Sequence, residues 1–282
     1  MDKKSKILVL GAKGMLGMDL MHIFAQYNPI GWDTNDINIS DKKQVEEKIT
    51  ALNPDIIINL AAYTNVDGCE TNKEVCFKVN GDAIGFLAQT CKKINAIIVH
   101  ISTDYVFDGK NSKGYEEDSP TNPINAYGES KLVGEKLIKD ASRYYLIRTS
   151  WLFGVNGNNF VEKISKIAQE NDKIKVVDDQ IGSPTYTIHL AGKIKELLEK
   201  ELPFGTYHIT NSGVCSWFEF AREIVSTSNL NADVIPVKTE EFPTPAKRPK
   251  CSVLLNTKLS GNLPHWKEAL KDYINEKKEG VT

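Results

Sequence analysis

Ile7-Leu8-Val9-Leu10-Gly11-Ala12-Lys13-Gly14-Met15-Leu16-Gly17 decides the fold. Four consecutive apolar residues suit a parallel strand buried on both faces. Gly11, Gly14 and Gly17 follow it, and from Met15 to Tyr27 apolar residues return at helical spacing, at Leu16, Leu20, Ile23 and Phe24. Spaced glycines between a strand and a helix point to a dinucleotide phosphate loop. Glycine permits the tight turn and the close approach of a pyrophosphate, while the helix start offers free N–H groups. A glycine turn in an α/β protein without a nucleotide explains the pattern less well once strand and helix are both in place. An acid some way on, at the end of the second strand, is expected to hold the adenosine ribose. Asp33 fits, within the turn-like Asp33-Thr34-Asn35-Asp36. Its charge would repel a 2′-phosphate and Lys13 would offset that, so NADH and NADPH both stay open.

Strand and helix patterns alternate onward. Asp41 with Gln44 reads as a capping box, Ile56–Ile58 as a strand, Val75 to Ile94 as a helix, and Ala96–Ile101 as a strand. A helix continues from Lys131 to Asp140, and Tyr144–Arg148 is another strand. This predicts an α/β fold, a Rossmann-type doubly wound parallel sheet. After Trp151 the pattern loosens into Gly- and Asn-rich loops, helices from Phe160, Ile188, Trp217 and Trp266, and the proline-rich Pro243–Pro249. We read residues 1–152, completed by about 186–211, as the dinucleotide-binding domain. Residues 153–185 and 212–282 form a smaller C-terminal substrate-binding lobe over the sheet's carboxyl edge, where such sheets bind ligands.

The 282 residues are 41% hydrophobic and 26% charged, with a net charge of −2. That balance excludes a disordered or fibrous chain, and nothing global draws it to nucleic acid or to an anionic membrane. Lys247-Arg248-Pro249-Lys250 is a local basic string of a kind usually found on solvated surface. No apolar run reaches membrane-spanning length, and the one after the basic N-terminus is too short for a signal peptide. Cys69, Cys76, Cys91, Cys215 and Cys251 lack metal-ligand spacing and read as reduced thiols of a cytoplasmic protein.

Ser102-Thr103-Asp104-Tyr105 closes the Ala96–Ile101 strand, so its hydroxyls face the ligand crevice. Alone, the string would be a strand-terminating cap. Tyr127 and Lys131, four apart, share one helix face. Alone, they would be an ordinary solvated pair. A phenol beside an ammonium can transfer a proton near neutral pH, and the order glycine loop, strand-end hydroxyl, Tyr/Lys pair points to hydride transfer.

With these residues the chain resembles the extended short-chain dehydrogenases/reductases, and within them the family of dTDP-4-dehydrorhamnose reductases. The similarity runs nearly end to end. It is carried by Gly11–Gly17, Asn59–Asp67, Ser102–Gly109, Tyr127–Lys131, Arg148–Trp151, Asp179–Thr185 and Pro243–Pro249. The resemblance implies reduction of the C4 ketone of a dTDP-4-keto-sugar by NADPH or NADH. Thr103, Tyr127 and Lys131 would be catalytic, with Lys131 lowering the tyrosine pKa. Gly11, Lys13, Gly14, Met15, Leu16, Gly17, Asp33, Asn38, Ile39, Ala61, Ala62, Tyr63, Thr64, Ile101, Tyr127 and Lys131 would contact the cofactor. Thr103, Asp104, Trp151, Asn159, Gln180, Gly182, Pro184 and Arg248 would hold the dTDP-sugar.

Leu10 stands where the superfamily often has threonine. Some relatives dimerise around a divalent ion, with one acidic ligand matching Asp19. The other ligands are not identifiable, which leaves magnesium, and monomer against homodimer, open. A 4,6-dehydratase would need a glutamate where Tyr105 stands. A 4-epimerase or a non-catalytic NADP-binding regulatory subunit shares the framework.

Overall fold

The computed structural model describes residues 4–279; Met1–Lys3 of the basic N-terminal string and residues 280–282 lie outside the described residues. Five strands, β1 (Ile7–Leu10), β2 (Ile30–Trp32), β3 (Ile56–Asn59), β4 (Ile97–Thr103) and β5 (Tyr144–Thr149), join a later strand, Gly205–His208, in one parallel sheet. Across the sheet the order is β2, β1, β3, β4, β5, then Gly205–His208. The chain winds outward from β1 in one direction and, from β3, in the other. The winding reverses between β1 and β3, and their carboxyl ends flank the crevice of a doubly wound sheet.

The helices are α1 (Met15–Ile23), α2 (Lys42–Leu52), α3 (Val66–Thr71), α4 (Lys73–Phe77), α5 (Ala83–Ile94), α6 (Ala126–Leu137), α7 (Phe160–Glu170), α8 (Thr187–Glu199), α9 (Trp217–Thr227) and α10 (Trp266–Glu279). Alternate strand residues point to opposite faces, and both faces are covered. Ile7, Val9, Ile58, Val99 and Ile147 pack against Leu16 and Leu20 of α1 and Leu190, Ile194 and Leu197 of α8. Leu8, Leu10, Ile57, Ile98 and Leu146 pack against Val45 and Ile49 of α2 and Ile84, Leu87 and Ala88 of α5. Each such fully buried aliphatic side chain contributes roughly 1.5–3 kcal/mol. This is why the strands read as unbroken apolar runs.

Three local details differ from the sequence pattern. The helix read over Val75 to Ile94 is α4, a π-helical turn at Lys78–Asp82, and α5. Asp41 does cap α2 through Lys43 N and Gln44 N. The Gln44 side chain, however, bonds the Asp41 carboxylate and the Asn38 N–H instead of closing a reciprocal box. Cys69 and Cys76, read as free thiols, are joined in a disulfide with their Cα atoms 5.5 Å apart. They sit on two short helices that meet at Asn72, and that fold-back brings them together. Cys91, Cys215 and Cys251 are free and buried.

A further core gathers Val161, Ile164, Phe220, Ile224, Trp266, Leu270 and Tyr273 from α7, α9 and α10 around Phe153 and Tyr186, which pair across the short strands Leu152–Phe153 and Thr185–Tyr186. Lys173–Val177 pairs in parallel with Asp233–Val237 beside it. Pro236 hides the second of these strands from the sequence pattern. No helix among the described residues is long and apolar enough to cross a membrane.

Candidate active site

A cleft of about 840 Å³ opens over the carboxyl ends of β1, β3, β4 and β5, within the range of small-molecule sites. One wall is the glycine loop. Gly11 has φ +79°, and a side chain there would press on Ala61 N. A Cβ on Gly17 would stand 2.2 Å from Gly11 O, so only glycine lets α1 begin this close to the turn. Gly14 caps α1 with no side-chain cap bond, and the first turn carries no acid. Among the described residues, no side chain caps that helix start, which leaves its N–H groups to an anion. Lys13, Met15 and Leu16 complete this wall. Asp33, at the end of β2, lines the cleft and accepts the Lys13 N–H at 3.0 Å, tying the glycine loop to the second strand.

The loop after β3 brings Ala61, Ala62 and Thr64 to the opposite wall. It is held from behind by Asn80, on the π-helical turn. This fully buried amide accepts the Tyr63 N–H at 2.8 Å and donates to Tyr63 O at 3.0 Å. Sequence reading missed Asn80, whose only signal is a polar residue on an otherwise apolar helical face. Tyr63 packs beside Cys69, Cys76 and Tyr127, behind the residues that face the cleft. Asn38 is exposed and Ile39 belongs to the core beneath β1 and β3, so neither reaches the cleft.

Ile101, Thr103 and Asp104 at the end of β4, and Tyr127 and Lys131 on α6, meet at the floor. Asn125 caps α6 through Gly128 N. The close approach of α6 to Tyr105 needs Gly128, where a Cβ would lie 2.1 Å from Tyr105 O. Burial and the Asp104 charge push the Tyr127 phenol up to about 12, and a hydrogen bond with Thr103 partly offsets this. This differs from the expectation that Lys131 holds the tyrosine pKa down. The Lys131 ammonium is turned to Ile101 O at 2.6 Å and lies 3.4 Å from His100 Nε2. Burial pulls Lys131 itself down to about 8, against the opposing pull of Glu135. Asp104 is raised by burial to about 6, with Ser252 and Thr103 opposing.

Three buried polar atoms without a hydrogen-bond partner among the described residues lie at these strand ends: Asn59 Oδ1, Asp104 Oδ2 and Thr149 Oγ1. Asp104 and Thr149 line the cleft. Orphaned buried groups are rare, and a polar ligand in the cleft would give Asp104 and Thr149 a partner.

Trp151 closes the cleft with φ +49°, a strained conformation for a bulky residue. Its ring stacks on Trp217 at 3.5 Å and 9°. Gly182 makes room for it, since a Cβ there would lie 2.5 Å from the indole. Trp217, Phe160, Ser150 and Thr149 also line the cleft. Sequence reading named none of them as site residues: Trp217 and Phe160 come from the irregular second half, and Thr149 and Ser150 stand at and just past the end of β5.

The remaining candidates stand apart from the cleft lining. Asn159 caps α7 and donates to Gly154 O. Gln180 donates to Thr239 Oγ1, and Pro184 is buried. Arg248 lines a separate cleft of about 1050 Å³ with Lys110, Lys247 and Lys250. There its guanidinium forms a bidentate pair with Asp67 at 2.8 and 2.9 Å, which lowers the Asp67 pKa. Asp19 is buried and accepts from Thr187 and Asn156. No cluster of three or more His, Cys, Asp or Glu side chains fit for a metal gathers among the described residues.

A glycine cradle at the reversal point of a parallel sheet, facing a strand-end threonine and a Tyr/Lys pair, defines an NAD(P)H oxidoreductase of the short-chain dehydrogenase/reductase type. The family described as the RmlD substrate binding domain matches residues 5–279, and the chain belongs to it. The spore coat polysaccharide biosynthesis protein SpsK of Bacillus subtilis (strain 168) is 42% identical, over 97% of this chain and 98% of that protein. A dTDP-4-dehydrorhamnose reductase of Burkholderia thailandensis is 36% identical, over 94% of this chain and 96% of its own. The crystal structure of dTDP-4-dehydrorhamnose reductase from Bacillus anthracis str. Ames in complex with NADP superposes with a TM-score of 0.94 at 39% identity. It covers 97% of this chain and 99% of that one.

Proposed function

We propose that the chain reduces the C4 ketone of dTDP-4-dehydro-6-deoxy-L-mannose to dTDP-L-rhamnose with NADPH or NADH. The observation that carries this is the meeting of Thr103, Tyr127 and Lys131 at the floor of a cleft whose wall is the glycine cradle. The reductase relatives supply the substrate, and the NADP complex of the Bacillus anthracis relative favours the phosphorylated cofactor.

The cradle suits a dinucleotide on its own evidence: an uncapped helix start, and glycines where a side chain would collide. Gly11, Gly14 and Gly17, with Lys13, Met15 and Leu16, would hold the pyrophosphate, and Asp33 the adenosine ribose. Ala61, Ala62, Thr64 and Ile101 would flank the cofactor, which when bound supplies the hydride. Thr103 donates a hydrogen bond to the ketone oxygen. Tyr127, whose raised pKa keeps it protonated throughout the neutral range, passes its proton to that oxygen as the carbon–hydrogen bond forms. The Lys131 ammonium supplies positive charge beneath the tyrosine. Trp151 and Asp104 would orient the sugar, and the segment 153–185 with 212–282 would close over it. Arg248 would reach a diphosphate once Asp67 shares its guanidinium. Elimination is disfavoured because Tyr105, packed edge-on against Tyr127, stands where a dehydratase would need a base.

Mixing the protein with NADPH or NADH and dTDP-4-dehydro-6-deoxy-L-mannose tests the proposal. Loss of reduced-nicotinamide absorbance is expected, and a flat trace with both cofactors sinks it.

A further inference from the structure

Directly behind Lys131 lies a fully buried histidine that the proposed reaction does not use. His100 faces Asn59 across the β3–β4 register. Its Nδ1 is 3.0 Å from the Asn59 side-chain amide, and its Nε2 is 3.4 Å from Lys131 Nζ. A neutral imidazole has one donor and one acceptor nitrogen, and an ammonium has donors only. With the Asn59 NH₂ facing Nδ1, the ring proton falls on Nε2. Two donors then oppose each other at 3.4 Å. The two ends of an amide have the same shape, so the hydrogen bonds decide its orientation. With the oxygen facing the ring, Nδ1–H donates to it, and the bare Nε2 turns its lone pair to the ammonium. The doubly protonated ring is disfavoured, because burial and the Lys131 charge together hold His100 well below its ordinary range.

We propose that His100 is a positioning residue, fixed by Asn59 in its Nδ1–H form, that accepts one Lys131 N–H through Nε2. Ile101 O takes the second N–H, and one donor remains for the cleft. Asn59 and His100 thereby aim the ammonium and favour its charged form. Of the titratable and charged groups nearby, Glu135 on α6 acts on Lys131 and is itself paired with Arg148 on β5, while Tyr127 on α6 and Asp104 beyond the end of β4 line the same cleft as Lys131.

The aiming role rests on Lys131 working as a catalytic ammonium, but the tautomer is measured without turnover. In ¹⁵N-histidine-labelled protein at pH 7, with His100→Gln identifying the signals, we expect a pyrrole-type Nδ1 and a pyridine-type Nε2. The reverse assignment overturns the inference. In turnover, His100→Leu is expected to lower the rate about tenfold and to move its alkaline decline down by about one pH unit, since a hydrogen bond to a charged group is lost. His100→Gln, whose amide oxygen can take the same N–H, is expected to restore both. A Leu profile that superposes on the wild type overturns the inference. If the unaltered protein consumes no reduced nicotinamide, the reductase reading fails, while the nitrogen shifts still decide the state of His100.

Discussion

Tyr127 holds its proton more tightly than an ordinary phenol, as a donor in ketone reduction should at neutral pH. Tyr127→Phe removes only that proton. We expect cofactor affinity to be retained, measured by NADPH titration, and turnover to fall about 10²-fold or more; near-normal turnover would refute the role. Lys131 sets the pH dependence. Pulled down to about 8, it is an ammonium below that value and neutral above it. Turnover should therefore decline as pH climbs through about 8, and a plateau extending to pH 10 would contradict a charged lysine. Arg248→Ala should raise the substrate KM several-fold more than it lowers turnover; the opposite split would place Arg248 outside substrate binding. At this scale the sequence singled out, by chemistry and order, Gly11, Thr103, Tyr127 and Lys131, which the fold gathers around one cleft. It was mute about Asn80, Asn59 and His100, because their roles depend on what faces them across the fold.

Among the elements, α6 is clamped to the sheet by a buried ion pair. Glu135 accepts from Arg148 Nε at 2.9 Å and from Nη2 at 2.7 Å, and from Ser102 Oγ at 2.6 Å. Arg148 also lies over the Phe107 ring. Replacing Glu135 by alanine leaves a buried guanidinium without its counter-charge and should cost about 3–5 kcal/mol, read by chemical denaturation. At the start of α1, Gly17→Ala should abolish nucleotide binding in calorimetry, because the added carbon collides with Gly11 O. The strands and most helices were legible because burial on both faces of the sheet writes itself as apolar runs. The π-helical turn was not, because one extra residue in a turn hardly alters helical spacing. Nor was the Cys69–Cys76 link, which depends on two short helices folding back on each other.

Across the whole molecule, the six-stranded parallel sheet is not built from a continuous piece of chain. The Gly205–His208 strand pairs with β5, and α8 covers the face of the sheet shared with α1. Tyr27 also bonds Glu199 at 2.5 Å. A fragment of residues 1–152 should therefore fail to fold, seen as a broad, unprotected spectrum in hydrogen exchange, whereas a fragment reaching residue 211 should gain protection in β1 and β5. The late arrival of this cover has a consequence during synthesis. The part of that face that α8 covers beside α1 has no lid until the chain through Glu199 has left the ribosome. At roughly 5–20 residues per second, that leaves its apolar surface open to chaperones for many seconds.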